Sequence, residues 1–267
     1  MRRLSLSQAW DETRDILGRD GRLYVSVALA LVVLPAVING LLNPKGMADA
    51  GAPLWVDLVS IAASLITLAG QLGLIRLALG PSITVGGAIA HGMRRLPVYF
   101  AGALLVVLGL LVIAIPFGLA LRALGVPLTP GAPVPPTPTV LIVALLYFAV
   151  ICFVGVRMLL TAPVASAEPV GPIAMLKRSW ALTDGHFWQL FGFLLLFFIA
   201  ATVVLIGVGA AIAVVVRLFL GALEPMSVSA LVVALVQALL SAAFTTVLAV
   251  MLARIYAQVS GRDERAR

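Results

Sequence analysis

Apolar residues recur along this chain in six long runs, over residues 23–42, 58–79, 98–121, 139–162, 187–216 and 228–257. A bilayer core about 30 Å thick is crossed by about 20 residues in helical form, so each run is long enough to span it. In lipid every backbone N–H and C=O must be paired within its own segment, so all six are expected to be helices rather than lone strands. The last two runs exceed the minimum and are expected to tilt, kink or protrude. Pro35, Pro116 and the Gly207-Val-Gly209 stretch are placed to kink the odd-numbered spans.

The connections alternate in character. Residues 1–22, 80–97, 163–186 and 258–267 carry most of the charge, whereas 43–57, 122–138 and 217–227 are rich in Pro, Gly and Ala. Three of the charged segments have a helical period of their own. Leu6, Trp10, Thr13 and Leu17 share one face, and Ser5 with Gln8 has the spacing of a capping box. Val85, Ile89, Met93 and Leu96 make a weaker stripe, with His91, Arg94 and Arg95 elsewhere on the wheel. Pro172 suits a first helical turn, Ile173, Leu176 and Trp180 share a face, and Asp184-Gly185 stops the helix. Each stretch reads as a short amphipathic helix in the membrane interface.

A repeat emerges from this order. Each amphipathic stretch leads to a span that opens near an aromatic: Tyr24, Tyr99 and Phe187-Trp188. Each pair of spans ends with one arginine inside its returning helix: Arg76, Arg157 and Arg254. Pro81 and Pro163 follow the first two arginines, and the third unit lacks this proline. Three units that start on the same side are related by rotation about the membrane normal, unlike inverted repeats. The expected fold class is therefore all-α. It is a polytopic membrane protein with one integral domain over 1–267, six transmembrane helices and three short cytoplasmic interfacial helices in a pseudo-threefold repeat.

Composition agrees with the pattern. The 267 residues are 62% hydrophobic and 11% charged, where soluble domains run at about 45–50% and about 25%. Mean hydropathy is +1.15. These values exclude a soluble domain and a disordered chain. The net charge of +7 would suggest nucleic acid in a soluble protein, but here it points to orientation and to anionic headgroups, so no nucleic-acid partner is expected. Lys45, Arg122 and Arg217 fall on the Pro- and Gly-rich connections, and the other 15 of the 18 basic residues on the charged ones. The positive-inside rule then places both termini in the cytoplasm and the proline-laden link at 126–138 outside. Met1-Arg2-Arg3 is followed by Asp11-Glu12-Thr13-Arg14-Asp15 and not by an apolar run, so the N-terminus is expected to be retained rather than cleaved as a signal peptide.

Charges inside lipid are costly, which singles out Arg76, Arg157 and Arg254. They lie near the cytoplasmic helix ends, where they can snorkel to the headgroups, hold lipid phosphates, or pair with an interfacial group such as Glu168. Glu168 is expected to contact Arg157 or Arg178. Lys177 and Arg178 are set toward headgroup phosphates, and Trp180 toward the interface, where its ring is apolar and its N–H stays wet. Cys152 is the only cysteine, and His91 and His186 the only histidines. No thiolate metal site, HExxH or GxSxG motif is available. No cofactor, no metal and no catalytic set is expected.

Pro163, Glu168-Pro-Val-Gly171-Pro172, Leu176-Lys-Arg-Ser179-Trp180, Leu182-Thr183, Gly185 and Trp188 together resemble the signature of the membrane domain attached to some glycerophosphodiester phosphodiesterases. They are similar also to stand-alone bacterial inner-membrane proteins of the YciC-like kind, and Ala9-Trp10 resembles the opening of that family. The resemblance implies a bacterial inner-membrane location. It carries over no catalytic residue, because a phosphodiesterase barrel needs about 200 or more soluble residues and the polar segments here are far shorter. The sequence reading is thus a non-enzymatic inner-membrane protein that binds or organises anionic lipid or scaffolds a protein partner, a second copy included. A small-solute or lipid transporter or channel is the alternative.

Overall fold

The computed structural model describes residues 4–42, 54–80, 84–126, 137–221 and 226–261. The Met1-Arg2-Arg3 start, Lys45, Pro81 and most of the proline-laden link lie outside the described residues. Within them every regular element is a helix. Six helical stretches are long and apolar enough to cross a membrane: Leu6–Leu42, Leu54–Leu79, Val85–Ala123, Pro138–Ala167, Phe187–Phe219 and Val228–Ser260.

The elements run in chain order as α1 (Leu6–Ala28), a π-helical turn (Leu29–Val33), α2 (Leu34–Leu42), α3 (Leu54–Leu79), α4 (Val85–Ala123), α5 (Pro138–Arg157), α6 (Thr161–Ala167), α7 (Pro172–Thr183), α8 (Phe187–Leu220) and α9 (Val228–Ser260). The π turn has a local cause. Pro35 brings no N–H to close the preceding turn, and the register shifts so that Leu34 N–H donates to the Leu29 carbonyl.

One of the three interfacial helices is not a separate element. The first is set off from the first span by a kink inside α1, where Asp20 leaves helical geometry at φ −112°, ψ 16°. The second continues through Pro97 into α4, whose 39 residues extend about 58 Å, roughly twice the hydrocarbon thickness. The third, α7, stands alone, because Asp184 is extended and Gly185 takes a left-handed φ of 76°. A continuous helix keeps its backbone bonds internal near lipid, and only this third junction has a glycine turn to interrupt them.

Two other expectations are corrected. The fourth span, Pro138–Ala167, is not one unbroken helix: α5 ends at Arg157, and Pro163 sits inside the separate helix α6. Gly207-Val-Gly209 does not break α8; Gly209 instead leaves room for the Gln237 amide, whose Nε2 donates to the Leu205 carbonyl at 3.3 Å. Helix α7 packs inward through Met175, Ser179, Leu182 and Thr183 and leaves Ile173 and Trp180 on its exposed side.

The core gathers at one end of the bundle, where Ser5 N–H meets Gln258 Oε1 at 3.2 Å. Leu72, Ile75, Leu160, Val164, Met175, Leu190, Met251, Ile255 and Tyr256 are fully or almost fully buried there. Helix α6 is buried along its length from Thr161 to Ser166. The outer faces of α4, α5 and α8 remain exposed apolar surface, as expected where lipid is as good a solvent for leucine as another helix. Helix α9 runs through the middle on a stripe of small residues. Ala230, Ala234, Ala238 and Ala242 recur every four positions, are buried, and let neighbouring backbones approach.

Three seams join returning helices to opening ones, α3 on α4, α5 on α7 and α9 on α1, although α5 packs more extensively on α4 and α9 on α3. The first of these seams is the tightest. A Cβ on Gly73 would sit 3.1 Å from the Ala88 carbonyl oxygen, and one on Gly92 would overlap the Ala69 carbonyl.

Candidate functional site

The three arginines lie toward the ends of their returning helices at this crowded end, hereafter the basic end: Arg157 is the last residue of α5, Arg76 lies three residues before the end of α3, and Arg254 six before the end of α9. Their surroundings differ in charge.

At the second seam the Arg157 Nη1 meets Asp184 Oδ1 at 3.1 Å. The guanidinium carbon lies 5.2 Å from the Trp180 ring centroid and 5.5 Å from that of Phe153. These aromatic faces attract the cation through their quadrupoles and screen it from lipid. The Arg157 carbonyl, left open where α5 ends, accepts from Ser179 Oγ at 2.9 Å and from Thr183 Oγ1 at 3.4 Å. Two buried hydroxyls of α7 thereby seat it against the end of α5.

At the third seam Arg254 Nε meets Glu12 Oε2 at 2.6 Å. Gln8 Nε2 donates to the other Glu12 oxygen at 2.8 Å. This alters the capping box. Ser5 Oγ accepts from Gln8 N–H at 3.3 Å as expected, but the Gln8 side chain turns to Glu12, and Ser5 N–H is taken by Gln258.

Glu168 bridges two elements. Its Oε1 accepts from Arg178 Nε at 3.4 Å and from the Tyr256 hydroxyl at 2.7 Å. Of the two contacts expected for Glu168 the structure forms the one to Arg178; Arg157 pairs with Asp184 instead. The loop after α6 is thus tied to both α7 and α9. Replacing Glu168 by alanine removes an acceptor of one charged and one phenolic donor, with an expected loss of about 2 kcal/mol. Glu168→Gln keeps an acceptor for Tyr256 and should lose less. Thermal unfolding in detergent reads the difference, and equal melting of the two variants would contradict the bridge.

At the first seam Arg76 is half-buried, and among the described residues it has no hydrogen bond or ion pair. Arg94 and Arg95 follow His91 by three and four positions on α4, and Arg76 lies one turn beyond Leu72 on α3. His91 Nε2 lies 3.3 Å from Ser166 Oγ, and Ser166 Oγ lies 3.2 Å from the Leu72 carbonyl. The single Ser166 proton goes to that carbonyl, so His91 donates through Nε2 and is held as a positioning group between α3, α4 and α6.

Lys177 and Trp180 stand on the exposed face of α7 and border a shallow groove of about 310 Å³ with Met158, Leu176 and Ala181. A larger groove, of about 600 Å³, separates α1 from α8. It is lined by Leu6, Trp10, Trp188, Gln189, Phe193 and Met251, among others. The buried polar side chains among the described residues are all hydroxyls; Thr13, Thr161, Ser166, Ser179 and Thr183 lie at the basic end, while Ser229 and Thr246 stand apart on α9.

Sequence reasoning therefore found the arginines, Glu168, Arg178 and Trp180, and missed three partners. Glu12 and Asp184 carried a signal, for acidic residues are scarce and both fall on stretches next to a span. Tyr256 carried none, because its meeting with Glu168 is purely tertiary.

No curated protein and no solved structure matches this chain. One family does, over residues 4–259, under the description Domain of unknown function (DUF7847). That match takes in all three arginines and nearly the whole sequence, so the chain belongs to this DUF7847 family.

Proposed function

We propose that this protein is a non-enzymatic integral protein of a bacterial inner membrane that binds and organises anionic lipid from the cytoplasmic leaflet, with both termini on that side. The observation that carries the reading is the groove of about 600 Å³ between α1 and α8. It is almost wholly apolar and lined by two tryptophans, Trp10 and Trp188. A slot of this kind suits an acyl chain. Tryptophan favours the level where chain meets headgroup. Arg14, exposed one turn along α1 from Trp10, supplies positive charge at that level. The positive-inside asymmetry gives the orientation, and the motif at 163–188 supports the likeness to stand-alone inner-membrane relatives of the phosphodiesterase membrane domain.

The test uses the protein in mixed vesicles. Brominated phosphatidylglycerol, diluted into phosphatidylcholine, should quench tryptophan emission more than its mole fraction predicts. Trp10→Phe and Trp188→Phe should each remove much of that excess. Quenching that follows the bulk mole fraction, with either variant like the wild type, would defeat the reading.

A further inference from the structure

A second apolar cavity, of about 300 Å³, opens beside the first span. Leu17, Gly21 and Leu29 line it from one side, and Leu239, Ala243 and Val247 of α9 from the other. Its lining offers almost nothing polar. Thr246 spends its hydroxyl on the Ala242 carbonyl at 2.7 Å, and Tyr24 is almost fully buried. The space exists because small residues border it. Nothing lies within 4 Å of the place where a Cβ on Gly21 would stand. The wider turn of the π segment, closed by Leu34 N–H on the Leu29 carbonyl, adds to it.

This cavity and the groove between α1 and α8 follow one strip of α9. Met251 lines the groove, and Val247, Ala243 and Leu239 line the cavity. These residues recur every four positions, the spacing of a single ridge along a helix. One turn of α9 separates the two spaces. On α1 the order is the same, with Leu6 and Trp10 on the groove and Leu17 and Gly21 on the cavity. Met251 stands at the basic end, where its sulfur lies 3.6 Å from Thr13 Oγ1. From there to Leu239 the helix rises about 18 Å. The strip is thus about as deep as one leaflet of a hydrocarbon core about 30 Å thick.

The surroundings decide what fills it. Both walls of the cavity belong to helices long and apolar enough to cross a membrane. Left empty, the lining would forfeit its contacts, and water there would find almost no polar partner. A volume of about 300 Å³ along the two turns from Val247 to Leu239 is too narrow for a helix about 10 Å across. It fits a single hydrocarbon chain.

We propose that one acyl chain of the bound anionic lipid lies lengthwise along α9, and that the second cavity receives its methyl end beside the π turn. This deepens the lipid-binding reading and rests on it for the headgroup. Bulk lipid is as apolar as the cavity, so the chain is held by its fit along the strip rather than by escape from water. Gly21 and Ala243 are the residues that keep the seat open.

The experiment uses the intact protein in mixed vesicles. Leu29, 46% exposed on the rim of the cavity, is made a reporter by Leu29→Trp. Val203→Trp, on an exposed face of α8, reports ordinary contact with lipid. The probe is phosphatidylglycerol brominated near the methyl end, diluted into phosphatidylcholine. It should quench the emission gained in Leu29→Trp about twofold more than its mole fraction predicts, and that gained in Val203→Trp in proportion to it. Gly21→Leu enters open space, and Ala243→Leu is a change at an exposed position on the facing wall. Each should melt with the wild type and cancel the excess at Leu29→Trp.

An excess that both substitutions cancel supports the seat. Leu29→Trp emission that follows the mole fraction, while Trp10 and Trp188 keep their excess, overturns the seat and leaves the lipid reading standing. An excess that survives either substitution overturns it as well, because the chain then passes elsewhere. An excess at Leu29→Trp with none at Trp10 and Trp188 overturns the continuous path. No excess at any position overturns both readings.

Discussion

Gly92→Ala is expected to destabilise the protein by about 3 kcal/mol or more, at the upper end of what overpacking costs. A Cβ at that position would overlap the Ala69 carbonyl oxygen, and Ala69 is itself fully buried on α3. Backbone cannot rotate aside as a long side chain can. The helices would have to part, and the Gly73–Ala88 contact one turn away would open with them. Gly86, on the same helix, has nothing within 4 Å of its missing Cβ. Gly86→Ala should therefore stabilise α4 by about 0.5–1 kcal/mol through helix propensity alone. The same substitution, six residues apart, is expected to change sign. Unfolding midpoints in detergent measure both, and a Gly92→Ala protein that melts with the wild type would refute the close α3–α4 approach.

The second large effect lies at the third seam. Arg254 and Glu12 meet at 2.6 Å with side chains 19% and 25% exposed. Screening by water is weak there, so a double-mutant cycle with Glu12→Gln and Arg254→Gln should return a coupling of about 2 kcal/mol. The Arg157–Asp184 pair is longer, at 3.1 Å, and its aspartate is 71% exposed. Its coupling should fall in the range of surface pairs, about 0–1 kcal/mol, and should fade as salt is raised. A cycle at the third seam no larger than that at the second would show that Glu12 does not close the bundle.

These two effects mark where the sequence was informative and where it was not. Gly92 belongs to a stretch with a weak apolar stripe at Val85, Ile89 and Met93. The face that packs is Ala88 and Gly92, small residues with almost no hydropathy signal. In water a helix shows its buried face by hydrophobicity. Against lipid the packed face is shown by size, and the periodicity of apolar residues marks lipid-facing surface as readily as core. The amphipathic stretch of α1 was read correctly as helix, and the kink at Asp20 falls close to the expected start of the span.

The candidate site was half legible. An arginine within an apolar run is conspicuous because its insertion is costly, so Arg76, Arg157 and Arg254 stand out in the bare sequence. Their partners do not. Glu12 and Arg254 are separated by nearly the whole chain, and only the closure of the third unit onto the first brings them together.

What the sequence determined by itself is six stretches long and apolar enough to cross a membrane, and their helical form. Both follow from one constraint, the pairing of backbone groups across about 30 Å of hydrocarbon. What only the tertiary structure decided is which cation meets which anion, and that Arg76 meets none among the described residues. Pairing of charges depends on the rotation and depth of each helix. Those are set by small residues in contact, and no pattern along one segment encodes the depth of its neighbour.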